Sequence, residues 1–209
     1  FGNTSNIMNQ PMNKVKSFPN FNYYEGKLTD KEHSDLTDVV SKLWESESRI
    51  SVNKQLAGFI ETEFMLNLAG KKIILPRIYQ GATEICVSED LPVPNWYCES
   101  IWVNYQKKHE VNPYHNHSGS YSFVLWLNIP FNYEDETNRK EVAQSTQRDQ
   151  ASTFCTVYTD ILGNIRHHNF YLDKKDNGRF IIFPSKLAHF VYPFYTSDEY
   201  RISIAGNIC

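Results

Sequence analysis

The sequence predicts a mainly β domain, a closed or double-sheet architecture of which a jelly roll is one solution, with helices ahead of it. Three observations predict this. Tyr, Phe and Trp make up 14% of the 209 residues against 22% charged, and a chain rich in aromatics and modest in charge favours strands. From about residue 95 the apolar period changes from 3.6 to 2, the change from helix to strand patterning. Some eight short apolar runs then follow, parted by turn signals such as Gly163-Asn164, Asp176-Asn177-Gly178 and Thr196-Ser197-Asp198. Strands at that spacing close on themselves or pack as two sheets.

Taken in order, residues 1–20 are expected to be a flexible N-terminal segment, polar and Asn-rich at its start. Residues 21–209 then form one domain, with helical support over 28–70 and a β core over 95–208. Thr29-Asp-Lys-Glu32 is a capping box, with Thr29 as N-cap and Glu32 at N3. Behind it Leu36, Val39, Val40, Leu43 and Trp44 fall three and four apart, one apolar helical face. Leu56, Ile60, Phe64 and Leu68, each four apart, predict a second helix over 56–68 that stops at Gly70. The strand candidates are Ile101–Gln106, Val111–His117, Tyr121–Ile129, Thr153–Tyr158, His168–Leu172, Arg179–Phe183, His189–Phe194 and Arg201–Ile208. Between them, 132–150 is polar without period and reads as a long loop, its Glu134-Asp-Glu136 run facing water.

Composition excludes several classes. Lys plus Arg (21) less Asp plus Glu (24) gives −3, so no basic surface for nucleic acid is expected. The longest central apolar run, Phe123–Leu127, is far short of the roughly 20 residues of a membrane span. No secretory signal opens the chain, and its start at Phe1 leaves room for an upstream piece. Cysteines 86, 98, 155 and 209 form no C-x-x-C pair, which favours a reduced, cytoplasmic setting.

Two features point to chemistry. In an extended backbone His115 and His117 project to one side, and His189 is the third imidazole for a metal site. Imidazoles suit Fe(II), Zn(II) and Cu(II) alike; the bland alternative is three hydrogen-bonded histidines. In Arg201–Asn207, period 2 puts Arg201, Ser203, Ala205 and Asn207 opposite Ile202, Ile204 and Ile208. An Arg among small residues has room to enter a cavity and hold a carboxylate bidentately, with Ser203 as a further donor. Otherwise it is an edge-strand Arg meeting solvent.

Together the His-x-His pair, the distal His and Arg-x-Ser resemble the 2-oxoglutarate/Fe(II)-dependent oxygenases. More closely, six stretches across residues 95–208 resemble a prolyl-4-hydroxylase-like branch carried by marine bacteriophages. They are Trp102–Gln106, Asn112-Pro-Tyr-His-Asn-His117, Ser122–Trp126, Phe183-Pro-Ser185, Val191-Tyr-Pro-Phe194 and Arg201–Ile204. The resemblance implies a double-stranded β-helix, the cupin-like jelly roll, on N-terminal helices. It implies Fe(II) on His115 and His189, with His117 where most members have Asp or Glu and Glu110 or a carboxylate of the long loop as the alternative third ligand, and the distal carboxylate of 2-oxoglutarate on Arg201 and Ser203. Asn104 and Tyr105 or Tyr121 are expected to assist the cosubstrate. Trp102, Gln106, Trp126 and Asn128, with Val124 and Val191, are expected to line the substrate pocket. The implied activity is C–H hydroxylation of a small molecule or peptide by O₂, with release of succinate and CO₂, in the cytoplasm of a phage host. A cupin-like metalloprotein without 2-oxoglutarate and a non-catalytic jelly-roll virion or binding protein are the rivals, as is a silent relative that binds metal alone. The Arg201-x-Ser203 clamp argues against the first.

Overall fold

Ten strands form two facing antiparallel sheets in the computed structural model, which describes residues 22–209. The flexible segment expected over 1–20 lies outside the described residues. The strands are β1 (Tyr24–Lys27), β2 (Thr62–Met65), β3 (Cys98–Gln106), β4 (Asn112–His115), β5 (Tyr121–Asn128), β6 (Phe154–Thr159), β7 (Ile165–Phe170), β8 (Arg179–Pro184), β9 (Ala188–Val191) and β10 (Arg201–Ile208). The larger sheet runs β1-β8-β5-β10-β3-β2 and the smaller β4-β9-β6-β7. This is the jelly roll, and all eight predicted strands lie within it, with ends moved by a few residues.

Alternation along the central strands builds two cores. Phe123, Leu125 and Leu127 of β5, with Ile101, Val103 and Ile204, face the helices α1 (Asp30–Glu45) and α2 (Leu68–Ser88). Their neighbours Val124 and Trp126 face the other way and meet Phe154, Phe170 and Phe183 between the sheets. Helix α1 starts as its capping box dictates: Glu32 N–H donates to Thr29 Oγ1, and Thr29 N–H donates back to Glu32. It buries Leu36, Val40 and Leu43. Gly81 lets α2 lie on the sheet, since a Cβ there would stand 2.6 Å from Ile182 and 2.7 Å from Tyr24.

The second predicted helix is not where the spacing placed it. Residues 53–55 make one 3₁₀ turn, Thr62–Met65 is strand β2, and α2 begins at Leu68, where the helix was to end. Residues four apart share a face in a strand as well as in a helix, so the Ile60–Phe64 spacing fits both. Phe64 and Leu66, two apart, are both buried, the period-2 outcome, whereas Leu68, 68% exposed, already belongs to the first turn of α2. Gly70 sits inside the first turn of α2, its N–H donating to the side chain of the N-cap Asn67. The expected loop 132–150 contains α3 (Tyr133–Thr137) and α4 (Lys140–Ala143). Glu136 does not face water. It is fully buried and accepts from the backbone N–H groups of Tyr195 and Thr196 and from the Thr196 hydroxyl, fixing the segment before β10. No helix among the described residues is long and apolar enough to cross a membrane.

Candidate metal centre

His115, the last residue of β4, stands directly across from His189 of β9, and directly opposed residues share a sheet face. His117 follows two residues on, its backbone N–H held by Ser185 O at 2.9 Å. The ring centroids are 4.3 Å (His115–His189), 4.9 Å (His115–His117) and 5.1 Å (His117–His189) apart. One ligating nitrogen from each lies within 4.8 Å of the others.

Their tautomers are set locally. His115 Nδ1–H donates to Pro113 O at 2.6 Å and His189 Nδ1–H to Leu187 O at 3.0 Å. A carbonyl only accepts, so Nε2 of each ring carries the lone pair, the usual outer-shell support of a metal-bound imidazole. Burial keeps all three rings neutral: His189 is pushed down to about 3, His117 to about 4, and His115 is also lowered. Their mutual proximity adds to the shift at His117 and His189. Phe154 stacks on His189 at 5.3 Å and Phe183 meets it edge-on at 5.0 Å. Three neutral nitrogens aimed at one point fit a first-row divalent ion. Glu110 does not compete for it, because its carboxylate accepts from the backbone N–H groups of Glu61 and Lys107.

From the histidines a cavity of ≈560 Å³, open mouth included, runs between the sheets to Arg201. Its floor is the β3–β10 ladder, with Ala205 opposite Trp102, Ser203 opposite Asn104 and Arg201 opposite Gln106. Arg201 is 2% exposed. Its Nε and Nη2 donate to Gln106 Oε1 at 3.0 and 2.6 Å, Nη2 also to Tyr192 O at 2.9 Å, and Nη1 to Ser152 O at 2.7 Å. Four of the five N–H groups of a guanidinium are thus engaged by the protein itself. One Nη1–H remains for a ligand, so the expected two-pronged fork is not presented.

Of the residues expected around the site, Trp102, Asn104, Gln106, Trp126 and Ser203 line this cavity, as do Val124 and Val191. Asn128 does not. The β5–β10 register shifts between Ile202 and Ser203, and this irregularity turns Asn128 away to donate to Tyr200 O at 2.9 Å. Tyr105 also lies elsewhere. Its pleat neighbours Asn104 and Gln106 face inward, so its ring faces the helices, packing on Trp44 and donating to Val40 O at 3.0 Å. Tyr121 likewise packs on Trp96 on the helix side. Tyr105→Phe should therefore cost about 1 kcal/mol of stability, one neutral hydrogen bond, and leave activity unchanged; a raised KM for a cosubstrate would return the ring to the site. Sequence reasoning passed over Asn112, Phe154 and Phe183 as cavity lining. Asn112 and Phe183 stand in quoted motifs, whereas nothing distinguishes Phe154 from any core aromatic.

Residues 100–207 match the model of a family described as "Putative 2OG-Fe(II) oxygenase". Compared by sequence, no curated protein matches the chain. Among solved structures, a Pseudomonas putida prolyl-4-hydroxylase superposes with a TM-score of 0.55 at 15% identity, over 89% of this chain and 91% of that one. The non-heme alpha ketoglutarate dependent epimerase SnoN from nogalamycin biosynthesis gives 0.58 at 11%, over 90% and 78%. The viral collagen prolyl hydroxylase of Paramecium Bursaria Chlorella virus-1 gives 0.50 at 14%, over 89% and 94%. At such identities the likeness is one of fold.

Proposed function

The chain belongs to the 2OG-Fe(II) oxygenase family, and from that premise we propose that it is a prolyl-hydroxylase-like C–H hydroxylase with His115, His117 and His189 as its iron ligands. The observation that carries the assignment is a single cavity with three convergent neutral imidazoles at one end and a buried guanidinium at the other. Iron(II) and 2-oxoglutarate supply the oxidation by O₂, one oxygen atom entering the substrate C–H bond while the cosubstrate leaves as succinate and CO₂.

The chain's own residues bind, orient and exclude water. Arg201 presents its charge and one N–H at the buried end, and Ser203 adds a hydroxyl, a pair suited to the distal carboxylate of 2-oxoglutarate. Asn104 holds Ser203 through Nδ2–H···Oγ at 3.1 Å. Trp102, whose ring lies 5.8 Å from His117, and Trp126 wall the inner space in which substrate and cosubstrate meet. Phe154 and Phe183 keep water from the back of His189. The substrate in this reading is a small molecule or a peptide side chain, and the setting is cytoplasmic, the host cytoplasm if the chain is phage-encoded as its motif resemblance suggests.

The test is made without oxygen. Fe(II) and then 2-oxoglutarate are added, and a visible metal-to-ligand charge-transfer band is expected, followed by succinate once air is admitted. Absence of both the band and succinate would sink the reading.

A further inference from the structure

Glu63 is 1% exposed, and neither of its carboxyl oxygens has a hydrogen-bond partner. It stands on the edge strand β2 directly across from Asn104 of β3. Opposed residues of an antiparallel pair project from one face with Cβ atoms about 4.5–5.5 Å apart. Glu63 therefore shares the inner face with Asn104, a cavity residue, and its carboxyl is within reach of the Asn104 amide. Segment 53–60 closes over it: a Cβ on Gly58 would stand 3.2 Å from Glu63 Oε1 and 3.2 Å from the cavity-lining Ile60. That segment is tied down by Asn53, whose Nδ2 donates to the carbonyls of Ile60 and Glu61.

Asn104 is half satisfied. Its Nδ2 donates to Ser203 Oγ, while its buried Oδ1 has no partner. Two directly opposed residues thus carry three buried acceptor oxygens without partners, and acceptors cannot satisfy one another. A single proton can. We propose that Glu63 is held as the neutral acid and donates its O–H to Asn104 Oδ1, so that Asn104 donates to Ser203 and the Ser203 hydroxyl is left to donate to the cosubstrate carboxylate beside Arg201. Glu63 is then a positioning residue that acts through Asn104, and binding of 2-oxoglutarate is linked to one proton. This rests on the reading of the Arg201–Ser203 end as the 2-oxoglutarate site.

The surroundings favour the neutral form. Burial first, and the like charge of Glu110 second, push the Glu63 carboxyl up to about 7. The other charges nearby are committed elsewhere. Glu61 and Lys107 pair with each other at 2.5 Å on the exposed side. Lys54, on the covering segment, is exposed. Arg201 of β10 directs its N–H groups to Gln106, Tyr192 and Ser152. Among the described residues no cation is bonded to Glu63. A dianionic cosubstrate in the same cavity disfavours a further negative charge there. Its binding should therefore weaken as pH rises through the Glu63 value, approaching tenfold per pH unit. The three histidines, neutral throughout this range, do not contribute.

The experiment titrates 2-oxoglutarate into Fe(II)-loaded protein without oxygen from pH 6 to 9, by calorimetry and by the visible band. Wild type should bind tightly at pH 6 and lose affinity toward tenfold per unit above about pH 7. Glu63→Gln, which keeps an N–H donor for Asn104 and carries no charge, should match wild type at pH 6 and stay flat. A flat wild-type profile would mean an ionised Glu63 accepting from a turned Asn104 amide and would overturn the proposal; so would a Glu63→Gln protein that binds weakly at pH 6. The wild-type profile decides the matter alone if the variant does not fold. Thermal unfolding of metal-free protein is a second readout. Below its folded value the native acid holds a proton that the unfolded chain, at about 4.3, has released. Relative to Glu63→Gln, wild type should thus lose stability as pH rises from about 4.3 to about 7; the three histidines contribute equally to both proteins and cancel in the difference. If neither protein binds 2-oxoglutarate at any pH, the cosubstrate reading fails, while the unfolding profiles still decide the protonation state.

Discussion

Arg201→Met is expected to weaken 2-oxoglutarate binding by on the order of 100-fold while leaving iron in place. A hydrogen bond to a charged group contributes roughly 1.5–3 kcal/mol, and each 1.4 kcal/mol is a factor of about ten. Arg201 has one uncommitted N–H and its charge to offer, so the estimate takes a single such bond at the upper end of the range. The guanidinium lies at the opposite end of the cavity from His115, His117 and His189 and touches none of them in its four bonds. Metal retention should therefore be unaffected, and loss of iron together with cosubstrate would contradict the assigned role. Stability should also fall, by about 1–3 kcal/mol in urea unfolding, because Ser152 O, Tyr192 O and Gln106 Oε1 lose buried donors. Part of that loss is offset by no longer burying a cation beside the stacked rings of Phe131 and Phe194. Met keeps the apolar stem, so the binding defect is not one of cavity collapse.

The site was more legible than its scaffold. H-x-H is a strand signal and a metal signal at once, since period 2 brings both rings to one side, and period 2 along β10 separates Arg201 and Ser203 from the Ile face. Local patterns of that kind survive folding because they depend only on backbone geometry. The capping box of α1 is local in the same way. What failed was ambiguous or non-local. Spacing of four is common to strand and helix, so β2 was hidden in the run from Leu56 to Leu68. Asn128 keeps the right alternation, but a register shift opposite β10 removes it from the cavity. Tyr105 was assigned by its hydroxyl against its own alternation, and the alternation prevailed. Glu63 and Glu136 look like ordinary surface acids in the sequence. Their burial follows from what covers them, residues 53–60 over Glu63 and residues 195–196 over Glu136, which no single-strand pattern encodes.

His189→Ala should abolish metal binding. Removing one of three nitrogens leaves His115 and His117 as a two-point contact, and losses of 10–100-fold already follow when only the outer support of a ligand is removed; more than about 100-fold is expected here. The measurement is the metal-induced rise in Tm. A ligand at 100 times its Kd stabilises by about 2.7 kcal/mol, so excess Fe(II) without oxygen should raise the wild-type Tm by several degrees and leave His189→Ala unmoved. His117→Ala should behave in the same way, whereas His117→Asp should keep the rise, because a carboxylate restores the donor most family members have there and adds a negative charge facing the ion. An unchanged shift in His117→Ala would remove His117 from the ligand set. Acid provides an independent check on the same three rings. Burial lowers them in the folded state below about 6.5, their value in the unfolded chain. Between pH 6.5 and about 4 the unfolded chain therefore binds the more protons, and stability falls as pH falls. Metal-free wild type should lose stability across that window more steeply than His189→Ala, which lacks the ring most strongly shifted. Equal slopes would mean that His189 is not the buried neutral imidazole its contacts with Phe154, Phe183 and Leu187 O describe.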